Sequence, residues 1–142
     1  GAAGIYSWHK VKKGFASLLG EGFDMPKSWE EAMSFSGAWD YGYLKTLFES
    51  LDVYGLTPCQ DLLINKTDNI RVAKVKEDLY LIYVPSNTKV RLVKDFSGWK
   101  VKTIDFMNRF VAYSDFEVKE GNTIISMHPF HEDALIVVKK ES

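Results

Sequence analysis

The stretch from Ile70 to Val84 constrains this chain more than any other. Two apolar runs, Ile70 to Val75 and Leu79 to Val84, flank the polar turn Lys76-Glu77-Asp78. Each run is too short for a stable helix and rich in β-branched and aromatic residues, so the pair reads as a β-hairpin. In the second run Leu79, Leu81 and Tyr83 share one face, and Tyr80, Ile82 and Val84 share the other. Both faces are apolar, which predicts a central strand covered on two sides.

The rest of the chain beyond this hairpin follows the same habit. Short strands are expected at Leu62–Ile64, Thr88–Val93, Trp99–Phe106, Phe110–Phe116, Thr123–Met127 and Ala134–Lys139. Turns are expected at residues 65–69, 85–87, 95–98, 107–109 and 120–122, with a loop from Pro129 to Asp133. Turn signals recur roughly every 8–12 residues, as in a sandwich or barrel. No helical pattern interrupts them, which argues against a parallel sheet. The prediction is a mainly β (α+β) protein: an antiparallel β-sandwich of about eight strands behind an N-terminal helical appendage.

That appendage has its own signals. Ser28-Trp29-Glu30-Glu31 is a capping box, with Pro26 upstream, for a short helix ending near Met33. A second start is expected at Ser36, with Asp40 in the first turn. Tyr43, Leu44, Leu47, Phe48 and Leu51 then form one helical stripe, with Asp40, Lys45 and Glu49 on the other side. This predicts a helix over Gly37–Leu51, stopped by Gly55 and Pro58. Residues 1–27 are apolar in places but punctuated by glycines, with a short helix expected over Lys10–Leu19. A segment of this kind usually lies against something else.

Composition narrows the functional classes. Lys and Arg number 18 against 19 Asp and Glu, so nothing suggests a surface that tracks phosphates, and nucleic acid is disfavoured. Cys59 is the single cysteine, which excludes an internal disulfide and a multi-cysteine metal site, and it reads as a small buried apolar residue. No apolar run reaches the ~20 residues of a membrane-spanning helix. The opening Gly1-Ala2-Ala3-Gly4-Ile5-Tyr6 is no intact signal peptide, and the missing initiator methionine fits a processed protein or a piece of a larger one.

Candidate chemistry is sparse. His128-Pro129-Phe130-His131 with Glu132 and Asp133 could be drawn as a metal site, but its spacing matches no four-ligand zinc pattern and a polar loop explains it. Glu30 with Glu31, and Asp105 with Asp115, are carboxylate pairs of the type acid–base catalysis uses. Capping explains the first pair, and the second lies near strand ends and reads as solvated. No nucleophile elbow or phosphate-cradling glycine loop is present, so no cofactor and no catalysis by this chain alone is expected. Aromatic side chains that could stack on sugar rings are Tyr6, Trp8, Trp99, Phe110 and Tyr113. Trp99 follows a turn at a strand start and also reads as a core anchor. Tyr6 and Trp8 lie beside His9 in a glycine-containing stretch, where a binding loop is plausible.

The run Trp29-Glu30-Glu31-Ala32-Met33, then Gly37-Ala38, then Gly42-Tyr43-Leu44-Lys45-Thr46-Leu47-Phe48-Glu49-Ser50, then Pro58-Cys59-Gln60-Asp61-Leu62-Leu63 has a recognisable cadence. It resembles the C-terminal part of bacterial glycoside-hydrolase-like proteins of the DUF4038, or apiosidase-like, group. There the last helix of a (β/α)8 barrel leads into a β-sandwich catalogued as a collagen-binding domain of a collagenase. Asp78 to Pro85 resembles the family's strand ending in Y-x-P, and Asp105 to Arg109 resembles a degraded D-P-R-T-G turn. The resemblance implies that residues 1–57 form a helical lead-in, with 28–57 the barrel's last helical segment, and that residues 58–142 form the sandwich. It implies an accessory module, a barrel domain outside this chain that carries the catalytic carboxylates, and a secreted or periplasmic setting. It makes polysaccharide or collagen the expected partner. The family's sugar-site loop, Gly-His-x-x-Tyr-Gly, would correspond to Gly4-Ile5-Tyr6-Ser7-Trp8-His9, which departs from the motif but keeps Tyr6, Trp8 and His9 as candidate substrate contacts. Trp99 joins them as a candidate from the sandwich.

Overall fold

A computed structural model describes residues 30, 33–66, 69–126 and 133–141. The chain forms two compact units, Gly1–Val53 and Tyr54–Ser142. The capping box at Ser28–Glu31 lies outside the described residues, apart from the helical Glu30, and so does the helix expected over Lys10–Leu19.

In the first unit, helix α1 runs Ser36–Ser50. Ser36 is not its cap. Phe35 takes that position with extended backbone and no side-chain bond, because its carbonyl accepts the Ala38 and Trp39 amides at 3.0 and 3.3 Å. The predicted stripe is partly realised: Leu47 is buried, Tyr43, Phe48 and Leu51 are half-buried, and Leu44 is exposed. Lys45 and Glu49 pair across one turn at 3.6 Å. The helix stops before Gly55 and Pro58. Asp52 adopts a left-handed φ of 52°, the Val53 amide bonds the Phe48 carbonyl, and the Asp52 amide bonds that of Glu49. This is a Schellman ending, built on aspartate where glycine is usual.

Among the described residues of the second unit, every strand pair is antiparallel. Its strands are β1 (Thr57–Pro58), β2 (Arg71–Lys76), β3 (Leu79–Val84), β4 (Val90–Leu92), β5 (Trp99–Asp105), β6 (Phe110–Tyr113), β7 (Asp115–Lys119), β8 (Asn122–Ser126) and β9 (Ala134–Lys140). Six form a sheet in the order β1-β2-β3-β9-β5-β6, and three form a second sheet, β4-β8-β7. The predicted antiparallel sandwich with a helical piece is what the chain builds, with nine strands among the described residues rather than about eight.

The hairpin β2–β3 forms where predicted, with a bulge between Lys74 and Lys76 beside its turn and a Lys74–Glu77 ion pair across it. Strand β3 is central and buried on both faces except at Tyr83. Tyr80, Ile82 and Val84 face the second sheet, joining Ile70, Val72, Val101, Ile136 and Val138 against Val90, Leu92, Phe96 and Ile125. Burial of these side chains is the main favourable term, at about 25 cal/mol per Å² of apolar surface. Cys59 packs against the edge of this core but is half-buried rather than buried as expected, because it leads into the short edge turn Gln60–Leu62.

Two predicted strands are corrected. Leu62–Ile64 is not a strand: Gln60–Leu62 is a 3-10 turn, and Leu63 makes one isolated bridge to Leu92. The Gln60 side chain explains it. Its amide donates to the Ile70 carbonyl at 2.8 Å and its oxygen accepts the Val72 amide at 3.2 Å, so a side chain takes the role of strand backbone. Phe110–Phe116 is two strands in different sheets. The break falls at Ser114, which is buried, donates its amide to the Val101 carbonyl at 2.9 Å and bonds Thr103 hydroxyl to hydroxyl.

Candidate functional site

Tyr6, Trp8 and His9 lie outside the described residues. So do His128, Pro129, Phe130, His131, Glu132 and Glu31; of the possible metal loop only Asp133 is described. Asp133 accepts a hydrogen bond from the Tyr83 hydroxyl at 3.0 Å. Burial, followed by this bond and the carboxylate's charge, raises the Tyr83 phenol above its ordinary value. Among the described residues no cluster of three or more His, Cys, Asp or Glu could hold a metal ion.

The carboxylates Asp105 and Asp115 end up in different sheets, at the end of β5 and the start of β7. Asp105 is buried rather than solvated. Its Oδ1 accepts the Met107 and Asn108 amides at 3.0 and 3.3 Å, and its Oδ2 accepts the Asn108 side-chain amide at 2.9 Å. It therefore caps its own turn. Arg109 closes that turn with a φ of 53°, at the position where the resembled D-P-R-T-G pattern has glycine. This carboxylate has the bonding of a structural cap.

Trp99 sits at the start of β5, half-buried at the margin of the core. Its ring meets Phe96 edge-on with centroids 4.9 Å apart and lies tilted against Tyr80 at 5.8 Å. Tyr80 and Phe96 are themselves edge-on at 5.4 Å. The Lys94 ammonium stands 5.2, 5.6 and 5.9 Å from the Tyr80, Phe96 and Trp99 centroids and donates to the Tyr80 hydroxyl at 3.3 Å. Three rings thus hold an ammonium supplied by the chain itself. Such a cluster anchors the β4–β5 loop, which the buried Thr123 secures from beneath by bonding Lys94 and Phe96.

The open aromatic surface is elsewhere. Phe110 and Tyr113, on edge strand β6, are 57% and 58% exposed. Alternation places them on opposite faces of the sheet: Phe110 pairs with Asp105, and Tyr113 with Lys102. The Lys102 and Lys100 ammonium groups lie 5.1 and 5.9 Å from the Tyr113 centroid. The sequence named Tyr113 but not its lysines, because the β5–β6 register that joins them is not written in either strand alone. Among the described residues no helix is long and apolar enough to cross a membrane.

The chain matches no family model and no curated protein. Among solved structures it is similar to one described as a glycoside hydrolase, with a TM-score of 0.67 at 16% identity over 93% of this chain. The chain spans 31% of the length of that protein. At such identity the likeness is one of fold alone: the chain folds like part of that glycoside hydrolase.

Proposed function

We propose that the chain is a non-catalytic accessory module of a glycoside-hydrolase-like protein, of the DUF4038 or apiosidase-like type. Residues 58–142 would be its sandwich and residues 1–57 the lead-in from a catalytic barrel. One observation carries the reading: nearly the whole chain aligns with less than a third of a glycoside hydrolase. The commitment of Asp105 to its turn and the separation of Asp105 from Asp115 between sheets support a supporting role rather than a catalytic one. Secretion or periplasmic export belongs to the same proposal.

The test is the reading frame that encodes the chain. A barrel's worth of in-frame sequence upstream of residue 1 is expected, and deletion of residues 58–142 from that protein should lower its thermal stability. A frame that encodes no such barrel refutes the reading. So does turnover of aryl glycosides by the purified 142-residue chain.

The exposed Phe110 and Tyr113 favour a second reading, an independent module for glycan or collagen. Glycan-array or collagen pull-down binding that is lost in Trp8→Ala, Trp99→Ala or Tyr113→Ala would support it. The collagen name belongs to the resembled family, and no residue described above argues for it specifically.

A further inference from the structure

We infer that one corner of the larger sheet, formed by Tyr113, Lys100, Lys102 and Lys139, binds an acidic polysaccharide, a chain of uronate or sulfated sugars. This rests on the accessory-module reading and names the class of glycan.

The register places Tyr113 opposite Lys102, and Lys100 opposite Lys139. Lys100 and Lys102 are two apart on β5 and share a face. It is the face opposite to Val101 and Thr103, and it is itself largely apolar and buried, at Ile104, Leu135, Val137, Leu79 and Leu81; the lysines and Tyr113 form its open corner, with Lys102 half-buried. Three ammonium groups and one ring therefore form a compact quartet. Neighbouring strands are ~4.8 Å apart, and residues i and i+2 on one strand are ~7 Å apart. Lys100 and Lys139 are exposed, and Tyr113 is 58% exposed.

Stability does not explain this arrangement. Like charges directly opposite each other across strands are destabilising. Lys100 faces Lys139 with Lys102 beside it, in a molecule whose net charge is −1. Glu141 pairs with Lys100 and offsets part of the repulsion. The remaining positive field is local, as a surface for polyanions requires, and it is built around an aromatic ring. A pyranose ring stacked on Tyr113 would bring an equatorial carboxylate or sulfate within reach of Lys102, and the next sugar along would meet Lys100 and Lys139. Neutral glycans would gain the stacking and not the charge.

The experiment uses the full chain with polygalacturonate, a neutral glucan of equal length and duplex DNA, by titration calorimetry. Polygalacturonate should bind, weakening steeply as salt rises from about 0.05 to 0.5 M. The Lys100→Gln, Lys102→Gln, Lys139→Gln triple variant should bind about tenfold less tightly, as the loss of three surface charge contacts implies. Tyr113→Ala should also weaken binding, and Tyr113→Phe should not. The triple variant should melt no lower than the parent, because it removes repulsion; this separates lost binding from lost folding. Glucan bound as tightly as polygalacturonate, with no loss in the triple variant, overturns the acidic-sugar inference and leaves the accessory-module reading standing. DNA bound as well as polygalacturonate, indifferent to Tyr113→Ala, overturns it in favour of a nonspecific polyanion surface. Absence of binding to polygalacturonate at about 0.05 M salt also overturns it.

Discussion

Thr123→Val keeps the shape of a buried side chain and removes its hydroxyl. Thr123 is fully buried on β8. Its Oγ1 accepts the Phe96 amide at 3.0 Å and donates to the Lys94 carbonyl at 2.6 Å, tying the β4–β5 loop to the second sheet. Valine would leave both backbone groups without a partner. A buried group so orphaned costs about 1–3 kcal/mol. The Lys94 carbonyl is partly open to water, so the pair should cost about 3 kcal/mol rather than the maximum. The added methyl returns about 0.8 kcal/mol. The net expectation is a loss of about 2–3 kcal/mol. Thr123→Ser retains both bonds and loses one methyl, with a loss of about 1 kcal/mol. Urea unfolding followed by circular dichroism should therefore rank the midpoints parent, Ser, Val at unchanged slope. If Val unfolds at or above the Ser midpoint, apolar burial governs this site and the tethering role of the hydroxyl is wrong.

Three more outcomes follow from particular contacts. Glu120 and Gly121 join β7 to β8 in a two-residue loop with φ of 52° and 77°, so Glu120→Asn should raise stability by about 0.5–1 kcal/mol in the same urea assay; no gain would mean the turn is held by something other than local backbone preference. The Thr103 and Ser114 hydroxyls bond each other where the chain changes sheets, so Thr103→Val and Ser114→Ala should each destabilise by about 1–2 kcal/mol while the double variant costs less than their sum; strict additivity would show that the bond contributes nothing. The Asp95 carboxyl is held below its ordinary 3.8 by the Ser97 hydroxyl and then by the Ser97 amide at 2.7 Å. A lowered folded-state value means its contribution is present above the unfolded pKa and lost as pH falls through the folded one. Asp95→Ala should thus be less stable than the parent at pH 7 and match it near pH 2, by thermal melts; a gap that persists in acid would place the effect elsewhere.

Much of the fold was legible from local pattern. The hairpin Ile70–Val84 declared itself because both its strands are apolar and its turn is short and polar, and its centrality followed from two apolar faces on Leu79–Val84. The misreadings have a common physical origin. At Gln60 a side chain supplies ladder bonds to Ile70 and Val72, ten or more residues along the chain, and no periodicity encodes that. At Ser114 a continuous strand pattern conceals a change of sheet, because alternation says which way side chains point and not which neighbour they meet. At Asp52 the helix ended on a residue whose left-handed backbone is usually left to glycine. The site residues divide in the same way. Tyr113 could be named from composition and turn spacing, whereas Lys100, Lys102 and Lys139 became its neighbours only through pairings that span three strands.

Strand β9 lies between β3 and β5, pairing Ala134–Lys140 with residues fifty to sixty positions earlier on one side and about thirty to forty on the other. It is the keystone of the larger sheet, and it comes last among the described strands. The β2–β3 and β5–β6 ribbons can zip locally as soon as they are made, but each has a bare edge until this strand arrives. During synthesis those edges need shelter, and closing the sheet carries the entropy of its widest loop. Any lesion confined to Ala134–Lys140 would split the larger sheet into two ribbons rather than trim its margin.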